Sequence, residues 1–138
     1  MEVLTLFCVI VGEMKMPWNL EFDSELNFII TVYSGDVTKQ DIEESTKASL
    51  SKVHKDRPAL FLTEFEDVVL RLTTLDIYSV FEQWIPLGAT RENRSALVVS
   101  ESSSIFEDVK FHETVCRNRS WKVRVFRDRE EAMNWLFG

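Results

Sequence analysis

The chain has 138 residues, 45% of them hydrophobic and 28% charged, which is the length of one domain and the composition of an ordinary globular protein. Four glycines and three prolines rule out long linkers and low-complexity tracts, and no repeat of solenoid type is visible. A net charge of −7 sets the surface against nucleic-acid phosphates and anionic lipid headgroups, so a general nucleic-acid binder is excluded.

Residues 3–11 are almost wholly apolar, yet too short to span a bilayer. Glu2 stands where a signal peptide would carry positive charge, and no small-x-small cleavage site follows. The stretch reads either as an added strand, on a sheet edge or at a dimer contact, or as the product of an upstream start, with the natural chain beginning at Met14 or Met16. The second reading is favoured, which divides the chain into an extension, 1–15, and a domain, 16–138. The two cysteines, Cys8 and Cys116, make no disulfide framework, and the cytoplasm is the expected compartment.

From Met16 the pattern is regular. Residues 18–22 and 28–33 predict two strands of an antiparallel hairpin, joined by a turn at 23–27 and ended by Ser34, Gly35 and Asp36. Thr38 predicts a helix N-cap with Asp41 in the capping-box position. The helix runs to about Lys55 and carries Ile42, Thr46, Ser49, Leu50 and Val53 on one weakly apolar face, which places it at the margin of the core. A strand follows at 59–65, and 66–72 has no clear assignment. A helix starting near Thr73 or Thr74 carries Ile77, Val80, Phe81, Trp84 and Ile85 inward until Pro86 ends or kinks it.

The run 95–100 reads as a strand covered on both faces. Ser102, Ser103 and Ser104 predict the cap of the next helix, with Glu107 three residues beyond Ser104. Ile105, Val109, His112 and Cys116 line one side of that helix. The strand beginning at Val123 turns into a closing helix capped by Asp128, with Glu131 placed to complete a capping box. Ala132, Trp135 and Leu136 share its inward face. A hairpin followed by alternating helices and strands predicts a single α/β domain whose partly parallel sheet, of about five strands and about four flanking helices, is joined by right-handed crossovers.

Residues 16–23 (MPWNLEFD), 32–38 (VYSGDVT), 96–100 (ALVVS) and 123–136 (VRVFRDREEAMNWL) resemble the SpoIIAA-like family of small bacterial proteins, within the STAS and SEC14-like superfamily. The resemblance runs from about Met16 to the end. It implies a mixed sheet flanked by helices, and most members of the family have no assigned biochemical role. STAS anti-sigma-factor antagonists are switched by phosphorylation in an Asp-Ser-Ser/Thr-Gly loop before a helix. Residues 67–74 here lack that motif, with Thr73 or Thr74 in a similar place, where the ordinary role is capping. SEC14-like relatives carry apolar ligands between sheet and helices, which raises a small apolar ligand as a possibility.

Candidate chemistry is sparse. His112 and Cys116 at i, i+4 put an imidazole and a thiol on one helical face, but the other histidine, His54, is distant in sequence and no third zinc ligand is patterned with them. They read as core residues, and no metal or cofactor is expected. Ser102, Ser103 and Ser104 lie where a parallel strand passes into a helix, a place suited to a phosphate or carboxylate, although Glu101 repels anions. The basic residues Arg117, Arg119, Lys122, Arg124, Arg127 and Arg129 read as solvated flanks of a strand and two helix ends. No Gly-x-Ser-x-Gly elbow or other catalytic signature is found. The expected function is therefore a non-enzymatic cytoplasmic module acting through protein contacts, with homodimerisation as one form. The alternative is a small-ligand or lipid binder with a pocket between sheet and helices. An apolar cavity lined by Phe81, Trp84 or Phe111 favours the second.

Overall fold

The computed structural model describes residues 16–138, so the alternative readings of 1–15 lie outside the described residues. The elements run β1 (Trp18–Asp23), β2 (Phe28–Thr38), α1 (Lys39–Lys52), β3 (Leu60–Arg71), α2 (Thr74–Ser79), a 3-10 turn (Val80–Gln83), β4 (Arg94–Val98), α3 (Phe106–Asn118), β5 (Lys122–Phe126) and α4 (Arg129–Phe137). The five strands form one sheet in sequence order, with β1 antiparallel to β2 and the remaining pairs parallel. This is the expected mixed α/β architecture.

Each parallel step moves one strand further in the same direction. Connections of one hand then all cross the same face of the sheet. Accordingly α1, the α2 segment and α3 pack over one face, on Tyr33, Phe65, Leu97 and Val123. Among the described residues only α4 covers the other, where Ala132 and Leu136 are buried against Phe28, Leu62 and Ala96. β4 therefore needs apolar side chains in both directions, which explains why Ala96 and Leu97 are both buried.

Several elements differ from the sequence reading. β2 does not stop at Ser34: it continues to Thr38 beside a β3 that runs to Arg71, so the unassigned residues 66–71 are strand. The register slips once, since Ser34 pairs Glu66 and Gly35 pairs Val68, leaving Asp67 as the extra residue of a bulge. Gly35 and Asp67 both have positive φ there (71° and 48°), and the local kink disguises the strand in a period-two reading. The helix expected to reach Ile85 ends at Ser79 and tightens into the 3-10 turn, leaving Ile85 exposed. The serines before α3 do not cap it: Ile105 occupies the N-cap and makes no side-chain cap bond.

At α4, Asp128 accepts from the Glu131 amide as expected (2.9 Å), but no reciprocal Glu131 bond closes a capping box. Trp135 is half-buried rather than central. It packs beside Phe126 (ring centroids 5.6 Å apart) with the Arg94 guanidinium 5.7 Å from its centroid.

Two polar side chains tie elements together. Asn27, in the β1–β2 turn with φ 53°, is buried; its amide nitrogen reaches the carbonyls of His54, Arg57 and Pro58, and its oxygen accepts from the His54 amide at 2.8 Å. One side chain thus locks the hairpin onto the loop before β3. Glu113 of α3, also buried, accepts from the Val125 amide of β5 (2.6 Å) and pairs with Lys110 (2.8 Å).

Candidate functional site

The helices on the crowded face do not fill the space above the sheet. A cavity of about 170 Å3 remains between them and the strands. Its floor carries Thr31 and Tyr33 from β2, Phe61, Thr63 and Phe65 from β3, Ser95 and Leu97 from β4, and Val123 from β5. These positions share a face by the two-residue period of a strand. Thr31 and Thr63 are direct register partners, so two hydroxyl-bearing residues meet in a floor whose other polar residues are Tyr33 and Ser95.

The roof explains why α1 looked marginal. Its Ile42, Thr46, Ser49 and Leu50 line the cavity, while Leu50 also joins the buried cluster with Leu20 and Ile29, so the weakly apolar face is part cavity wall and part core. Thr38 starts the helix there through the expected capping box with Asp41. Ser45 bonds the Tyr33 hydroxyl, and burial pushes the Tyr33 phenol up to about 12, so it stays protonated.

The remaining wall is aromatic. Trp84 meets His112 edge-on (5.9 Å, 89°) and Trp121 edge-on (5.1 Å, 86°), and all three line the cavity. The Arg91 guanidinium lies 4.3 Å from the Trp121 ring centroid, and its Nε donates to the Arg119 carbonyl at 3.0 Å. Arg119 in turn lies over Phe81 (4.6 Å) and Tyr78 (4.7 Å) and donates to the Tyr78 hydroxyl. The α2 segment is thereby held against α3 by two guanidinium–aromatic contacts. Of the three aromatics named in the sequence test, only Trp84 lines the cavity. Phe81 packs on the core beneath Arg119, and Phe111 lies on the surface.

No ionised group is needed inside. Burial drives the His112 pKa down to about 4, against the opposing pull of the Ile77 carbonyl and the Glu113 charge, so its imidazole is neutral at physiological pH. The charged residues among the lining, Asp108 and Lys122, are exposed and sit at the rim. The wall is apolar with a few fixed polar groups, the usual character of a small-molecule site, although smaller than the common range of roughly 300–1,000 Å3.

The other candidates are placed as follows. His112 and Cys116 touch, with Sγ 3.7 Å from both ring nitrogens, but burial pushes the thiol up to about 12, and among the described residues no group of three metal-ligating side chains assembles. His54 is elsewhere, bonded to Ser24 (3.0 Å). The Thr73 hydroxyl caps α2 in a full capping box with Asp76, and Thr74 is that helix's exposed first residue. In the 100–105 loop, Ser100 bonds Ser102 and accepts from its amide, Ser103 accepts from the Ile105 amide, and Ser104 is exposed. The Ser100, Ser102 and Ser103 hydroxyls shape the loop, and none of these four serines lines the cavity. The basic residues form no single patch: Lys122, Arg127 and Arg129 pair with Glu92, Glu101 and Glu64.

Sequence reasoning missed Thr31, Thr63, Ser95, Asn93 and Trp121 as cavity residues. The available signal was the interruption of the apolar runs 28–33 and 59–65 by one inward threonine each.

The architecture has a solved counterpart. An uncharacterised protein of the DUF3478 family from Shewanella loihica PV-4, with a SpoIIAA-like fold, superposes with a TM-score of 0.52 at 15% identity, covering 86% of this chain and 93% of that one. The fold is SpoIIAA-like. No protein-family model and no curated protein matches the chain. Among the described residues of this SpoIIAA-like domain, no helix is long and apolar enough to cross a membrane.

Proposed function

We propose that the domain binds a small apolar ligand in the cavity between its sheet and its three-helix roof. The observation that carries this reading is the cavity itself, about 170 Å3 bounded by Phe61, Phe65, Leu97, Val109, Trp84 and Trp121. Packed interiors hold few voids larger than a water molecule, and an apolar void of about 150 Å3 is enough to take up benzene. The reading assigns binding and no chemical step, and the cysteine usage favours work in the cytoplasm.

A second reading is a protein-contact module, homodimeric in one form. It draws on Leu75 (72% exposed), Ile85 (57%) and Tyr78 (40%), apolar residues on the outer side of the roof segment.

Native mass spectrometry of gently purified protein, together with thermal melts in toluene, tests the first reading. A reproducible small mass lost on denaturation is expected, or a stabilisation by toluene of about 1.4 kcal/mol at ten times its Kd. Thr63→Phe, which fills the floor, removes both. A wild type that holds no mass and gains nothing from saturating toluene overturns the reading.

A further inference from the structure

We infer that the ligand of this cavity is a molecule of about one ring that carries a hydroxyl group and seats it on the Thr31–Thr63 pair of the sheet floor. The inference rests on the cavity being a ligand site and adds the chemistry it selects. Thr31 lines the cavity and is only 5% exposed, yet its hydroxyl has no hydrogen-bond partner among the described residues. The hydroxyls of Thr63 and Ser95, half-buried on the same floor, have none either.

These oxygens are open, not sealed. Among the described residues away from the surface, Trp121 Nε1 is the one unpartnered side-chain nitrogen or oxygen that is closed off from all space. Thr31 and Thr63 lie in β2 and β3, each with a paired strand on both sides, and the three-helix roof lies over them. The space that their hydroxyls meet is therefore the cavity.

Packing does not account for the pair. Valine has the shape of threonine and suits a strand as well, whereas a hydroxyl taken out of water without a partner is destabilising. Nor do the two satisfy each other: they are direct register partners, but no hydrogen bond joins them. Neighbouring strands lie about 4.8 Å apart, so one oxygen seated over the pair can reach both hydroxyls at ordinary hydrogen-bond length. A ligand hydroxyl donates and accepts, and a threonine hydroxyl turns to take either role.

The ring follows from the walls. Phe61, Phe65 and Leu97 surround Thr63 on the floor, and Trp84 and Val109 line the cavity from the roof. A volume of about 170 Å3 is close to one known to admit benzene.

The test compares phenol with toluene, two rings of one shape that differ only in OH against CH3. NMR titration of the full chain with 13C-labelled methyls reads both affinities at Leu97, Val109 and Val123. NOEs from each probe to the Thr31 and Thr63 methyls place it on the floor. In a cavity that offers no hydrogen bond, phenol binds on the order of 5–100-fold more weakly than toluene, the cost of burying a bare hydroxyl. Here phenol is expected to bind at least as tightly as toluene, with NOEs to both threonine methyls. T31V/T63V, which keeps the shape and removes both hydroxyls, should move the ratio of the two affinities at least fivefold toward toluene.

A wild type that binds toluene more tightly than phenol, with both probes shifting the cavity methyls, overturns the hydroxyl match and leaves the cavity reading intact. A preference for phenol that T31V/T63V does not alter overturns the assignment to the threonine pair. No response of the cavity methyls to either probe fails the cavity reading, and this inference with it. Should the double variant not fold, the wild-type ratio and the NOEs decide alone.

Discussion

His112 stands between two environments, packed against Cys116 and Trp84 on one side and lining the cavity on the other. Its folded pKa of about 4 lies below the ordinary 6.5. Between these values the unfolded chain binds a proton that the folded chain refuses. Stability contributed here is therefore complete above about pH 6.5 and is lost as pH falls toward 4, on the order of 2 kcal/mol. Urea melts at pH 7.5 and 4.5 should show His112→Gln losing less stability on acidification than wild type, by that amount. Equal losses would place the imidazole in water. At this scale the sequence was least informative. It marked His112 and Cys116 as core residues, but the meeting of Thr31 with Thr63, and the isolation of the Trp121 N–H, depend on strand register and on groups distant in the chain.

Among the elements, α4 is held to the sheet by Ala132 and Leu136, both buried, and by the Arg129–Glu64 ion pair to β3. Trp135 contributes from the flank. Leu136→Ala is accordingly expected to cost about 2–4 kcal/mol and Trp135→Ala about 1–2 kcal/mol in denaturant melts. The reverse order would show that the helix is rotated about its axis. The caps at Thr38, Thr73 and Asp128 were legible because they are decided within four residues. The long β2–β3 pair was not, since Gly35 and Asp67 break the alternation at the bulge and only the pairing of two distant segments carries the strands through it. The helix wrongly extended to Ile85 fails for a related reason: apolar periodicity persists into the 3-10 turn, where the geometry has already changed.

For the whole molecule, alternating helices and strands made the α/β class and a partly parallel sheet readable, whereas the order of the strands came only with the structure. The cavity was not readable, because incomplete packing is a property of all the elements together. Its roof is uneven. The α2 segment closes it with a six-residue helix and a run of turns, bonded by short-range contacts such as Trp84 to Phe81 and Gly88 to Ile85. Such a segment opens more readily than paired strands. Hydrogen exchange at residues 74–88 is expected to be at least about tenfold faster than in β2 and β3, and to slow when toluene is bound. Uniform protection across the two regions would refute this. The Glu113 contact has a consequence at the largest scale. It occupies an amide of β5, the strand at one border of the sheet, with a buried carboxylate, whereas β1 at the other border has no partner strand among the described residues. Extension of the sheet from molecule to molecule without end requires two receptive borders. With the Val125 amide of one border taken by Glu113, growth of the sheet from molecule to molecule is blocked on that side.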